Sequence, residues 1–177
     1  MPTDPPTDLQ QRARRIRLAC FDVDGTLTDG RLLYGADGGE AKAFHVHDGQ
    51  GLSLLRRAGV QVALVTARGG AIVPRRAAEL GIEAHLEVAD KRALVAGLCA
   101  RLGIDADAVA YMGDDLGDVA AMAAAGLAVA PADAHASARA AAHWVTAAGG
   151  GAGAARELCD LLLAARGGAV DATGSAQ

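Results

Sequence analysis

LACFDVDGTLTDG, residues 18–30, is the stretch on which the reading of this chain turns. Residues 18–23 form a short apolar run of strand length, and the acidic DGT turn follows without a break. The same sequence event recurs. VQVALVT at 60–66 ends on a threonine, and VAYM at 109–112 runs into GDDLGD at 113–118. Helical patterns separate these runs. Asp48 is placed to cap a helix that stops at Gly59. A second helix is expected over 70–80. A third, over 91–102, puts Leu94, Leu98 and Leu102 on one face. Further strands are expected at 82–86, 127–130 and 144–145, with helices over 116–125 and 156–165. Alternating strands and helices predict an α/β fold, a doubly wound, Rossmann-like parallel sheet with helices on both faces.

Composition agrees with that architecture. Of 177 residues, 51% are hydrophobic, yet there are only two Phe, two Tyr and one Trp, so the core must be aliphatic. The length suits one domain better than two. A net charge of −4 without a long basic run gives no draw toward nucleic acid or an anionic membrane. Arg12, Arg14, Arg15 and Arg17 read as a solvated lead-in to the first strand. Cys20, Cys99 and Cys159 lack CxxC spacing and read as buried thiols in a reducing compartment. With no membrane-spanning run and no signal peptide in the Pro- and Asp-bearing start, a cytoplasmic enzyme is expected. Residues 1–15 are expected to be flexible, 16–166 to form the folded domain, and 167–177 to be a flexible tail. The 149–153 run (GGGAG) is expected to be a mobile connection. Residues 31–44 read as a small β-hairpin insertion around a GADGG turn, too short for a separate cap domain.

Polar residues collect where strands end. Asp22 and Asp24 end the first strand, Thr66 ends the second long one, Lys91 opens a helix, and Asp114, Asp115 and Asp118 follow the strand at 109–112. The carboxyl edge of an open parallel sheet is where ligands bind. Carboxylates converging there repel one another unless a cation or proton holds them, and an all-oxygen set suits Mg²⁺. Lys91 and the Thr66 hydroxyl can hold phosphate oxygens, which together supports in-line phosphoryl transfer. Asp115 and Asp118 are open between acting at this site and capping the helix at Leu116. His85 and His143 read as structural, and Arg75 as an exposed helix-face residue.

DVDGTLTDG (22–30), VTAR (65–68), Lys91 and GDDLGD (113–118) stand in the order of the four motifs of the haloacid dehalogenase superfamily of phosphatases, which the chain resembles. KAFHVHDGQG (42–51), PADAH (131–135) and ARELCDLLL (155–163) are similar to one branch, the 3-deoxy-D-manno-octulosonate (KDO) 8-phosphate phosphatases. The resemblance implies Asp22 as nucleophile and metal ligand. Asp24 would be the acid–base residue, lending Mg²⁺ its backbone carbonyl, and Asp114 the other carboxylate ligand, with Asp115 and Asp118 in support. It implies Thr66 and Lys91 on the phosphate, and His45, Val46, His47, Asp48, Gly49, Arg68 and Arg76, with Asp24 and Lys91, around the sugar acid. Relatives often carry Arg where this chain has His47, Ser53 and Ala152. The family also implies a homotetramer in which hairpin 31–44 closes a neighbouring site, and a product destined for lipopolysaccharide. Other readings are a phosphatase for a nine-carbon 2-keto sugar acid 9-phosphate, a phospho-accepting receiver-like signalling domain, and a catalytically silent binding subunit. Receiver domains place their acceptor Asp mid-chain, whereas the acceptor here is at the first strand.

Overall fold

The computed structural model describes residues 7–167. In chain order the elements are α1 (Thr7–Arg15), β1 (Leu18–Phe21), β2 (Leu33–Tyr34), β3 (Glu40–Ala41), α2 (Val46–Arg57), β4 (Gln61–Val65), α3 (Ile72–Leu80), β5 (Glu83–His85), α4 (Lys91–Leu102), β6 (Val109–Met112), α5 (Leu116–Ala124), β7 (Leu127–Ala130), α6 (Ala136–Ala141), β8 (Trp144–Val145) and α7 (Ala154–Ala165). Six strands pair in the order β5-β4-β1-β6-β7-β8, and every pairing is parallel. The doubly wound, Rossmann-like parallel sheet expected from the sequence is the sheet found. The small hairpin β2–β3 stands apart as its own two-stranded antiparallel sheet.

Strand periodicity divides the core in two. Ala19 and Phe21 of β1 face Leu52 and Leu55 of α2, Val73 and Ala77 of α3, and Leu158 and Leu162 of α7. Leu18 and Cys20 point the other way, toward Val95, Leu98 and Cys99 of α4 and Ala121 and Met122 of α5. Phe21, Leu55, Leu158 and Leu162 are fully buried, and each contributes roughly 1.5–3 kcal/mol by leaving water. All three cysteines are free and buried. Burial pushes the Cys20 thiol up to about 12, so it stays protonated packing material.

Three expectations change. Residues 7–15 are helical: Leu9, Ala13 and Ile16 fall on one helical face and are buried beside α7. Arg12 is tied to Asp8 at 2.9 Å and to the Gly126 carbonyl at 2.8 Å, so it is more than a solvated lead-in. The expected flexibility of residues 1–6 and 168–177 lies outside the described residues. Second, 149–153 is an ordered loop. Gly150 donates to Asp133 at 2.8 Å, Gly151 donates to the Thr26 carbonyl at 3.0 Å, and a Cβ on Gly150 would meet the Gly25 oxygen at 1.9 Å. Only a residue without a side chain lets this loop lie flat on the turn after β1. Third, the cap of α2 is His45, whose Nδ1 accepts from His47 N–H at 3.2 Å. Asp48 instead turns inward, 2% exposed, and accepts the Arg156 N–H of α7 at 2.8 Å, where Gly153 offers no side-chain cap. Among the described residues no helix is long and apolar enough to cross a membrane.

Candidate active site

The chain leaves β1 toward β4 and β5 on one side and returns to β6 on the other, so the carboxyl end of β1 is the switch point of the sheet. Asp22 sits there, its amide held by the Met112 carbonyl of β6 at 2.9 Å. The next residues fold into a tight turn in which the Val23 carbonyl accepts from Thr26, Leu27 and Thr28. Thr28 Oγ1 accepts from Gly25 and Gly30. Gly25 has φ +96°, and a Cβ there would meet Asp114 Oδ2 at 2.0 Å, so its glycine is what lets the two loops touch.

Asp22, Asp114 and Asp118 each bring a carboxylate oxygen within 4.8 Å of the others. Lys91, at the start of α4, spans the group: Nζ donates to Asp22 Oδ1 at 2.5 Å and to Asp118 Oδ1 at 2.7 Å. Its burial pulls the ammonium down, but attraction to Asp22 and Asp118 outweighs that and holds it above its ordinary value. Burial pushes Asp22 well up, and repulsion from Asp118 adds to this against the pull of Lys91. Burial likewise raises Asp114 to about 6. Three carboxylates against one ammonium leave two negative charges, which matches a divalent cation.

Asp118 settles the choice left open by the sequence. Its Oδ1 accepts from Lys91 and from the Tyr111 hydroxyl at 2.8 Å, and its Oδ2 accepts from the amides of Asp114 at 3.1 Å and Asp115 at 3.2 Å. Four donors fill the four acceptor positions of a carboxylate, so Asp118 shapes the loop and aims Lys91 instead of offering a free oxygen. Asp115 is an exposed cap on α5, forming a capping box with Asp118. Asp22 gives one oxygen to Lys91 and keeps the other, Asp114 lies beside it, and this pair of carboxylates fits a hard divalent ion.

Thr66, 1% exposed at the end of β4, accepts the Arg68 amide at 3.1 Å, leaving its hydroxyl proton free to donate. Asp24 is gripped from the hairpin side: Lys42 Nζ donates to Asp24 Oδ1 and lies 3.1 Å from Glu40, with the Lys42 side chain only 3% exposed. Burial pulls Lys42 down, and its bonds to Asp24 and Glu40 more than restore it, so it stays charged. Arg68 bonds Glu40 at 3.1 Å and the Tyr34 hydroxyl at 3.4 Å, with its Nε 3.9 Å from Asp24 Oδ2. Lys42, Glu40, Tyr111 and the 149–151 loop were missed as site residues. Their roles depend on contacts across 7–125 positions of sequence, which no local pattern signals.

The remaining expected residues lie at the cap and first turn of α2 and, for Arg76, midway along α3. Val46 is 73% exposed, and His45 and His47 meet edge to face at 4.9 Å. Arg76 lies over the Phe44 ring at 5.6 Å, bonds Glu79 at 3.3 Å, and occupies the space a Cβ on Gly49 would need. His143 Nδ1 accepts from the Ala128 amide at 2.9 Å and His85 bonds Glu83 at 3.2 Å, both structural as expected.

The haloacid dehalogenase-like hydrolase family matches residues 86–158. A Yersinia pestis 3-deoxy-D-manno-octulosonate 8-phosphate phosphatase is 46% identical over 94% of this chain and 90% of its own length. With that relationship spanning nearly the whole chain, and with the carboxylates gathered at the switch point, the protein belongs to the haloacid dehalogenase-like hydrolases. Within that family, the phosphatase of Moraxella catarrhalis, solved with a magnesium ion, a phosphate ion and a KDO molecule, superimposes with a TM-score of 0.90 at 40% identity, covering 92% of this chain and 94% of that one. A hypothetical protein of Xanthomonas campestris superimposes at 0.92 with 53% identity, covering 94% of both chains.

Proposed function

We propose that the protein is a Mg²⁺-dependent phosphomonoester hydrolase that removes phosphate from KDO 8-phosphate through an aspartyl-phosphate on Asp22. The observation that carries this reading is the pair of neighbouring carboxylates, Asp22 and Asp114, with a buried ammonium on Asp22 at the switch point. Mg²⁺ would be held by Asp22, Asp114 and the backbone carbonyl of Asp24, and would supply charge neutralisation for the phosphoryl group. Lys91 and the Thr66 hydroxyl bind phosphate oxygens and orient the ester in line with Asp22. The Asp22 carboxylate attacks phosphorus as the P–O bond to the sugar breaks, and Asp24 gives a proton to the departing alkoxide. Asp24 then takes a proton from the water that attacks the acyl phosphate, which frees Asp22 and inorganic phosphate. Val46 and His47, exposed on the first turn of α2, together with His45, Asp48, Gly49, Arg68 and Arg76, shape the place of the sugar acid, with an Arg suited to its carboxylate.

Leu32, Leu33 and Tyr34 are 44%, 51% and 65% exposed on a hairpin that pairs only with itself. A lone hairpin is weakly stable in water. This supports a homotetramer in which residues 31–44 cover a neighbouring site, and sedimentation at a single fourfold mass checks the assembly; the likeness to KDO 8-phosphate phosphatases supports a cytoplasmic enzyme supplying KDO for lipopolysaccharide.

The decisive experiment measures phosphate release from KDO 8-phosphate and from a nine-carbon 2-keto sugar acid 9-phosphate with Mg²⁺. The expected result is faster turnover of the eight-carbon ester, abolished in Asp22→Asn with the fold retained. Preference for the longer ester overturns the substrate. A long-lived phosphoprotein without steady release overturns the hydrolase reading in favour of a signalling domain.

A further inference from the structure

We propose that Lys42 is a positioning residue for Asp24, pinning one carboxyl oxygen so that the other is left alone at the point of proton transfer. The inference rests on the reading of Asp24 as the acid–base residue. Lys42 stands one residue beyond β3, yet its side chain is 3% exposed, because the ammonium is folded under the hairpin between Asp24 and Glu40. A lysine buried to that degree is unusual unless it is paired, and here both partners are carboxylates. The pairing is unequal in its effect on Asp24. Oδ1 accepts the Lys42 N–H, whereas Oδ2 is buried and has no hydrogen-bond partner.

Arg68 Nε is also buried without a partner, and it lies 3.9 Å from that same Oδ2. Both atoms are shielded from solvent, so a substrate oxygen reaches Oδ2 only when the bound ester draws the Arg68 side chain aside. That oxygen is the ester oxygen in the first half-reaction and the attacking water in the second. In both, the Asp24 Oδ2–oxygen bond carries the proton. Glu40 completes the frame by holding Lys42 and Arg68 at once, each at 3.1 Å. The hairpin thus fixes the orientation of Asp24 without touching the phosphorus.

The test replaces the ammonium by an isosteric apolar chain, Lys42→Met, and compares two esters. Proton delivery matters for an alkyl phosphate, but an aryl phosphate such as p-nitrophenyl phosphate sheds its leaving group without it. Hydrolysis of the aspartyl-phosphate needs Asp24 as a base in either case. Kcat on the sugar phosphate is expected to fall about 10²-fold, toward the lower end of the usual contribution of a general acid–base group, with KM and the Kd for inorganic phosphate moving less than about threefold. On p-nitrophenyl phosphate the variant is expected to give a rapid burst of nitrophenol near one equivalent per site, then slow turnover. If Lys42→Met does not fold, Lys42→Gln, which keeps a polar head for Glu40, is expected to show the same split. An unchanged kcat, a loss confined to KM, or equal loss of burst and steady state overturns the inference. Wild-type protein that turns over the aryl ester but not the sugar phosphate overturns only the substrate, and Lys42 is then judged on the burst. Wild-type protein inactive on both overturns the hydrolase reading and this inference with it.

Discussion

Magnesium should stabilise this protein more at pH 7.5 than at pH 5, because a proton competes with the ion at a buried carboxyl. At a hundredfold excess over its Kd, a ligand bound only by the folded state adds about 2.7 kcal/mol. In a domain of this size that corresponds to a rise of roughly 5–11 °C in melting temperature. The proton competes with the ion at Asp114, whose carboxyl burial raises to about 6. Since this lies above the unfolded value of 3.8, the folded protein between those two pH values holds a proton the unfolded chain lacks. The stabilising contribution of that proton is therefore fully present below the unfolded value and is lost as pH rises through about 6. Asp22, raised in the same direction by burial, adds to the effect.

With its carboxyl raised to about 6, Asp114 is mostly protonated at pH 5, which costs on the order of tenfold in apparent ion affinity, or ~1.4 kcal/mol. Discounting for the solvent-facing side of the carboxyl leaves roughly 1 kcal/mol, seen as a Mg²⁺-induced shift smaller by roughly 2–4 °C. His143 has the opposite sign: burial lowers it, so its contribution weakens as pH falls. Reading the difference between magnesium and EDTA at each pH cancels that background. Differential scanning fluorimetry suffices. A shift equal at both pH values, or an Asp114→Asn variant that keeps the full shift, refutes the assignment of these carboxylates to the ion.

Three further outcomes follow from single contacts. Lys91→Met removes the cation from between Asp22 and Asp118, and should raise the Kd for phosphate and lower kcat together, by about 10²-fold or more in kcat/KM. In Gly150→Ala the new Cβ would meet the Gly25 carbonyl oxygen at 1.9 Å; calorimetry should show a loss of about 1–3 kcal/mol, with kcat lowered because the strain falls on the nucleophile turn. Asp48→Ala leaves the Arg156 amide uncapped and should cost about 1–2 kcal/mol, whereas Asp48→Asn, which keeps an acceptor, should cost less than half of that by urea unfolding.

Strands β1, β4, β6 and β7 were legible as short apolar runs. Helix α4 was predicted over its full length from Leu94, Leu98 and Leu102 on one face, and in the structure Asp90 caps its start and Gly103 its end. Helix α1 was not. Leu9, Ala13 and Ile16 carry a helical period, but a Pro-rich lead-in and four arginines mask it until α7 supplies the surface they cover. The GGGAG loop was misread for a related reason. A run of glycines is mobile only where nothing packs on it, and here the turn after β1 lies within van der Waals reach.

What the sequence determined by itself is the set of reacting groups and their order along the chain, because strand ends in a parallel sheet all open onto one edge. It left open what each neighbouring carboxylate does. Tertiary structure decided that: four donors from α4, β6 and the loop saturate Asp118, while Asp115 points to solvent, and Asp22 and Asp114 keep free oxygens. It also brought Lys42 under Asp24, eighteen positions away. Hydrogen-bond saturation is a property of distances in space, and a linear pattern records only spacing along the chain.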